Sequence, residues 1–460
     1  MTTTTQADTF WQYAPRGRRL RDLEAAYQRG DFSPQEASEA LIRRVEALPG
    51  IAHSTYIEFK SDRLIQSAPA QWQLRDRPLA GVPISIKDLF DVTGELTRAG
   101  SRVLANAAPA ERDASAVARL RSAGAQLCGR TNMTEFAFSG LGLNPHYGSP
   151  PNPFDDRRIT GGSSSGGAAS VAFGLAAATL GSDTGGSLRI PAAFCGLTGF
   201  KPSQASVPLD GAYPLAPSLD CVGPIAPSVD CCARLWSVLA RCDMPTLDET
   251  PRPLRLAVPE GGLLEELDIE VTQAFALACD YLRAQGCHLE HLPIAALDEV
   301  YAINQRGGLV VPEAAALHRE QLAQYGALYD PQVYKRLEGG LNIPAHVYIE
   351  RLQPRTALQR DFRAELVGFD AVLLPTAPLL PPERERLEQE SEVFIDANRR
   401  ALRNTNVFNY LDASALSLPF TAPGAALPIG LMVAAPQGED ARLLQTASVL
   451  EAWCERFVTG

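Results

Sequence analysis

Gly161-Gly162-Ser163-Ser164-Ser165-Gly166-Gly167 runs directly into the apolar stretch Ala168 to Thr179, and a second cluster, Ser182-Asp183-Thr184-Gly185-Gly186-Ser187, follows. Because Ala168 to Thr179 is apolar on nearly every face, it predicts a helix buried on several sides rather than an amphipathic surface helix. The first cluster then sits at a helix N-terminus, where backbone N–H groups lack intrahelical partners.

Outward from this stretch, strand and helix signals alternate. Val82-Pro83-Ile84-Ser85-Ile86 predicts a short buried strand that delivers a basic residue, Lys87, at its end. Ala116 to Leu127 reads as a helix, and Gln126 to Arg130 as the start of the next strand after the turn Ala123-Gly124. Leu254 to Val258, Asp370 to Leu374 and Ile429 to Ala434 read as strands, and Glu266 to Gln285 and Glu439 to Phe457 as helices. Ser33-Pro34-Gln35-Glu36 has the residues of a capping box with proline in the first turn. No repeat or low-complexity linker breaks the pattern, so a single large α/β/α sandwich is expected, with a central mixed, mostly parallel twisted sheet. Residues 1–19 are expected to form a poorly ordered tail and residues 20–460 the folded domain. Within that domain the chemistry-bearing motifs fall in 81–200, and a helix-rich, cap-like segment is expected over 301–362.

The 460 residues carry 53 acidic against 42 Lys and Arg side chains, a formal net charge of -11, and no long basic run. An electrostatic footprint for nucleic acid is missing, and a small-molecule ligand is expected. The nine cysteines show no paired CxxC or histidine spacing that would hold zinc, and reduced, buried thiols in a cytoplasmic compartment are expected. There is neither an apolar signal-like segment at the start nor a run of eighteen apolar residues, so no membrane association is expected.

The two Gly/Ser clusters admit three readings. They could be plain turn chemistry. A phosphate-cradling loop would need GxxxxGK[ST], and Gly166 is followed by Gly167 and Ala168. A serine hydrolase has two versions. Gly162-Ser163-Ser164-Ser165-Gly166 matches GxSxG, which would make Ser164 the nucleophile and require a downstream histidine, from among His288, His291, His318 and His346. Alternatively Ser187 is the nucleophile and the adjacent Thr184, Gly185 and Gly186 offer backbone N–H groups to an oxyanion. The base would then be Lys87, whose burial after a strand lowers its pKa and makes it a neutral proton acceptor. A solvated surface lysine is the plain alternative for Lys87.

Four motifs together resemble the amidase signature family: Gly81-Val82-Pro83-Ile84-Ser85-Ile86-Lys87-Asp88, Thr131-Asn132-Met133-Thr134-Glu135-Phe136, Gly161 to Gly166, and Gly181 to Ser187. The resemblance extends from about Leu20 to Glu451 and includes Gly223-Pro224-Ile225, Asp370 to Thr376 and Leu427 to Met432. It implies a Lys87–Ser163–Ser187 triad in which Ser163, joined to Gly162 by a cis peptide bond, relays a proton from the nucleophile Ser187 to neutral Lys87. It further implies an oxyanion hole from Thr184, Gly185, Gly186 and Ser187, and substrate contacts from Ala137, Phe138 and Gly162. Asp183 and Arg189 take structural roles beside the nucleophile loop. No metal or cofactor is implied.

The family carries Gly and Arg where this chain has Ala205 and Ser206, and often a basic residue at Pro227, which bears on local loop shape and the substrate entrance. The activity implied is that of a stand-alone amidase acting on a small or aryl amide, with esters and carbamates in range, and a homodimer would be ordinary. The alternatives are the glutaminase (A) subunit of a tRNA-dependent amidotransferase and a hydrolase of urea-like nitrogen compounds.

Overall fold

The computed structural model describes residues 4–73, 75–248 and 250–459. Among them eleven strands form one sheet: β1 (Tyr56–Phe59), β2 (Pro83–Lys87), β3 (Gln126–Thr131), β4 (Ala178–Asp183), β5 (Thr198–Lys201), β6 (Cys221–Ala226), β7 (Arg255–Pro259), β8 (His288–Leu292), β9 (Ala371–Pro375), β10 (Ser414–Phe420) and β11 (Ile429–Ala435). Their spatial order is β1-β3-β2-β4-β6-β5-β10-β11-β9-β7-β8.

Alternate residues of one strand enter different cores. Ile429, Leu431 and Val433 of β11 join the core that also holds Leu443, Leu444 and Ala447 of the helix Asp440–Thr459. Met432 and Ala434 join the core holding Val407 and Phe408 of the helix Ser391–Tyr410. With a side-chain period of two, both sheet faces are covered by helices, which is a three-layer α/β/α arrangement.

The expected mostly parallel sheet is not what forms. The pairs β2–β3, β2–β4, β7–β8 and β7–β9 are parallel and the other six ladders are antiparallel. The reason lies in the connections. The segment 202–220 between β5 and β6 contains only the short 3-10 turn Gln204–Ser206, and residues 421–428 join β10 to β11 without a helix. Chain that returns without a crossover helix pairs antiparallel.

Two further expectations change. The buried helix is Ser165–Ala172, beginning inside the Gly/Ser cluster and stopping short of Thr179, which lies in β4. Gly174, at φ +72, takes the left-handed conformation just past its end, and a Cβ there would lie 2.2 Å from the Trp11 carbonyl. Nor is the described part of the expected tail loose; residues 1–3 of it lie outside the described residues. Gln6–Gln12 is a helix capped by Thr5, with Trp11 fully buried and its indole N–H donating to the Ala37 carbonyl at 2.9 Å. Arg18 donates to the Val171 and Ala172 carbonyls at the C-terminal end of the buried helix, where a cation offsets the helix dipole. The Thr-rich start drew the tail expectation, whereas Phe10 and Trp11 supply the apolar surface that docks the segment.

Ser33 caps the helix Pro34–Glu46 through the reciprocal bonds of a capping box. The stretch 301–362 carries helices throughout and no strand. No helix among the described residues is long and apolar enough to cross a membrane.

Candidate active site

Strands β2 and β4 run parallel and side by side, so their C-terminal ends emerge together. Open α/β sheets place ligands at such ends. β2 ends in Lys87, and β4 ends in Asp183, after which Thr184–Leu188 turns into the helix Arg189–Phe194. The helix Ser165–Ala172 leads into β4 and brings the Gly161–Ser164 turn over the same edge.

The Lys87 side chain is fully buried and its Nζ donates to Ser163 Oγ at 2.8 Å and to Ser182 Oγ at 2.9 Å. Burial pulls the Lys87 ammonium down to about 7, against the opposing pull of the Asp183 and Asp220 carboxylates. A substantial neutral fraction therefore exists near neutral pH, and a solvated surface role is excluded by the burial.

The peptide bond Gly162–Ser163 is cis. Ser163 is held by its carbonyl, which accepts the Thr134 N–H at 3.1 Å, and the Ser164 N–H donates to the Ser187 carbonyl at 3.3 Å. These bonds tie three sequence motifs into one unit. Gly162 packs its backbone against Gly142, where a Cβ would come within 2.5 Å of the Gly142 nitrogen.

The loop that carries Ser187 is built around Asp183. Its carboxylate accepts the Gly186 N–H at 2.7 Å and the Leu188 N–H at 3.0 Å, forms a two-pronged ion pair with Arg189, and accepts Asn409 Nδ2 at 2.9 Å. Burial works to raise the Asp183 pKa, but the Arg189 charge and these hydrogen bonds prevail and hold it well below the usual carboxylate range. Gly186 takes φ +139, and a Cβ there would meet Thr405 Oγ1 at 2.3 Å. Thr184 Oγ1 donates to Asp220 Oδ1 at 2.5 Å, and burial pushes the Asp220 carboxyl up to about 6.

Ser187 opens onto a cavity of about 460 Å³, a size suited to a small organic ligand. Thr184, Gly185, Ala137 and Phe138 line it, with walls from the helical stretch (Tyr301, Asn304) and from the helix Ser391–Tyr410. The Ser187 hydroxyl has no hydrogen-bond partner among the described residues, nor do the N–H groups of Gly185 and Ser187.

Of the residues singled out in the sequence, Lys87 and Ser163 are in direct contact, and Ser187, Thr184, Gly185, Ala137 and Phe138 share the cavity. Gly186 and Gly162 do not line it. The Gly186 N–H is already spent on Asp183, which leaves it unavailable to an oxyanion, and Gly162 is behind the cavity against Gly142. Ser164, the GxSxG candidate, is buried with its hydroxyl 3.5 Å from the Ser182 carbonyl. None of the downstream histidines lines the cavity: His318 bonds Tyr329, His288 bonds Glu290, His291 bonds Arg283, and His346 is exposed. Ala205, Ser206 and Pro227 do not line it either. The sequence does not single out the roles of Ser182, Asp220, Thr405 and Asn409. Ser182 falls within the second Gly/Ser cluster, but nothing local marks its bond to Lys87, and the partners of the other three are distant in the chain.

Among the described residues no group of three or more His, Cys, Asp or Glu side chains could hold a metal ion.

The model of the family described as Amidase matches residues 36–444. The chain is 33% identical over 385 residues to the 2-amino-5-chloromuconic acid deaminase of Comamonas testosteroni, covering 82% of both chains. It is 32% identical over 475 residues to the A subunit of the glutamyl-tRNA(Gln) amidotransferase of Deinococcus radiodurans, covering 94% of this chain and 96% of that one. A crystal structure of an amidase superposes with a TM-score of 0.84 at 34% identity, over 94% of this chain and 99% of that one.

Proposed function

The chain belongs to the amidase family and is an amidohydrolase of carbon–nitrogen bonds, and on that premise we propose that it cleaves a small or aryl amide by way of an acyl-enzyme on Ser187. Neutral Lys87 takes a proton from Ser163 as Ser163 takes one from Ser187, and Ser187 Oγ attacks the amide carbonyl. The developing oxyanion is received by the unengaged N–H groups of Gly185 and Ser187, with Thr184 alongside. The amine leaves with the proton returned through Ser163, and water releases the acyl group by the reverse sequence. Esters and carbamates pass through the same tetrahedral chemistry.

The observation that carries this reading is the fully buried Lys87, 2.8 Å from Ser163 and lowered to about 7 by its burial. A base whose pKa lies near working pH combines a populated neutral form with useful proton affinity. The GxSxG version has no comparable support, because among the described residues no histidine is hydrogen-bonded to Ser164.

A second reading, release of ammonia from glutamine in the presence of a partner, is favoured by the similarity along 94% of this chain to the A subunit of an amidotransferase. The test is a hydrolysis panel with the purified chain alone, covering aryl amides, short aliphatic amides, carbamates and glutamine. Turnover of an amide or carbamate other than glutamine supports the first reading. Activity confined to glutamine, and only with a partner added, supports the second.

A further inference from the structure

Acidic side chains outnumber basic ones by 53 to 42 in this chain, yet among the described residues the cavity in front of Ser187 is lined by Lys335, Arg336, Arg399 and Arg403 and by no carboxylate. Arg399 is accounted for by an ion pair with Asp396 at 2.9 Å. The other three cations form no ion pair among the described residues. Lys335 is exposed at the rim, and Arg403 is buried with its guanidinium donating to the Leu263 carbonyl and Asn404 Oδ1.

Arg336 is the most telling of these. It projects from the helix Pro331–Gly340 and stacks its guanidinium 3.9 Å above the Phe138 ring, with one N–H donating to the Phe138 carbonyl. That leaves most of its five donors without a protein acceptor. Partial burial against the Phe138 ring pulls its pKa down to about 10, and no carboxylate among the described residues opposes the shift. Arg336 is half-buried, so water solvates its free donors until a ligand arrives, and a guanidinium at a cavity wall with no counter-charge is placed to exchange that water for an anion. The planar guanidinium fork matches a carboxylate in two parallel hydrogen bonds. The apolar surface of the same cavity, from Phe138, Leu215, Leu219 and Val310, suits the hydrocarbon body of such a ligand.

We propose that the substrate is an amide acid, a molecule carrying a carboxylate alongside the amide it presents to Ser187, and that Arg336 receives that carboxylate; this deepens the amidase reading above and rests on it. Lys335 at the rim and Arg403 deeper in the wall add to the positive field that draws the anion in.

The experiment compares kcat/KM for matched pairs in which an isopropyl group replaces the carboxylate: succinamate with 4-methylpentanamide, and 4-carbamoylbenzoate with 4-isopropylbenzamide. The wild-type chain is expected to favour the anionic member by roughly 100-fold, and Arg336→Gln to bring that ratio towards one. Arg336→Lys, which keeps the charge but loses the fork, should fall between. Should Arg336→Gln not fold, Arg336→Lys carries the same comparison. If Arg336 served only to hold Phe138 in place, both members of a pair would slow together and the ratio would persist. A wild-type ratio near one, or a ratio that survives Arg336→Gln, overturns the proposal. If no amide is turned over, calorimetric titration of Ser187→Ala with succinate and terephthalate separates the two readings. Binding that weakens at least tenfold in Ser187→Ala/Arg336→Lys upholds the anion site while the amidase reading fails, and absence of binding overturns the anion site as well.

Discussion

Asp183 accepts the Gly186 N–H at 2.7 Å while its two oxygens grip Arg189 at 2.9 and 3.1 Å, so the turn that presents Ser187 hangs from a fully buried ion pair. Removing one member of such a pair strands the other charge in the interior. Asp183→Ala should therefore lower stability by about 3–5 kcal/mol. If it folds, it should lose roughly 100-fold in kcat, because the nucleophile loop drifts. Urea unfolding and steady-state kinetics check both, and wild-type values for each would show that Asp183 does not shape the loop.

Adjacent glycines should differ sharply. A Cβ on Gly185 meets nothing closer than 3.5 Å, whereas on Gly186 it meets Thr405 Oγ1 at 2.3 Å in a backbone conformation, φ +139, that L-residues rarely adopt. Gly186→Ala is expected to cost about 2 kcal/mol or more, and Gly185→Ala under about 1. Thermal melts of the two variants decide this, and equal losses would contradict it.

Lys87 as the base fixes the direction of the pH profile. The neutral amine is the active form, so with a pKa of about 7, kcat/KM should climb roughly tenfold per pH unit below about 7 and level off above it. Lys87→Ala should lower kcat by roughly 100-fold or more and abolish that limb. The same group affects stability. Its folded pKa of about 7 lies below the ordinary 10.5, so the unfolded chain binds the extra proton between them, and stability should rise with pH across that window. Lys87→Met should flatten the rise, as comparison of unfolding midpoints at pH 7 and pH 10 would reveal. A flat rate profile, or a Lys87→Ala variant with wild-type kcat, would remove Lys87 from the mechanism.

Among the serines, Ser187→Ala should be the most damaging and Ser163→Ala next, since water can partly replace a lost relay but not a lost nucleophile. Ser164→Ala and Ser165→Ala should keep most activity. The Ser165 hydroxyl is buried without a hydrogen-bond partner among the described residues, so its removal should be neutral or slightly stabilising. A serine-directed fluorophosphonate, followed by peptide mapping, is expected to place its adduct on Ser187. An adduct on Ser164 would restore the GxSxG reading.

Much that is local is legible in the amino-acid sequence. The capping box at Ser33 and Glu36, the buried strand ending in Lys87, and the helical stretch after Tyr301 follow from periodicity and turn chemistry that act within a few residues. The resemblance also named Lys87 and Ser163, 76 residues apart in the chain, and they lie 2.8 Å apart in the fold. What the sequence by itself determined was therefore the order and type of most elements and the motifs proposed to carry the chemistry. Strand direction was decided elsewhere, because pairing depends on whether the connecting chain crosses over, as the helix-free segments 202–220 and 421–428 demonstrate. The docking of Trp11, the loss of the Gly186 N–H to Asp183, and the gathering of Lys335, Arg336 and Arg403 around Ser187 were likewise decided only by tertiary structure. Trp11 and the cavity cations meet groups distant in the chain, and the Gly186 bond, though it spans three residues, is made to a carboxylate that Asn409 holds from 226 residues away. A charge has no unmet partner until packing has removed its water, and no local pattern records which distant residues will do so.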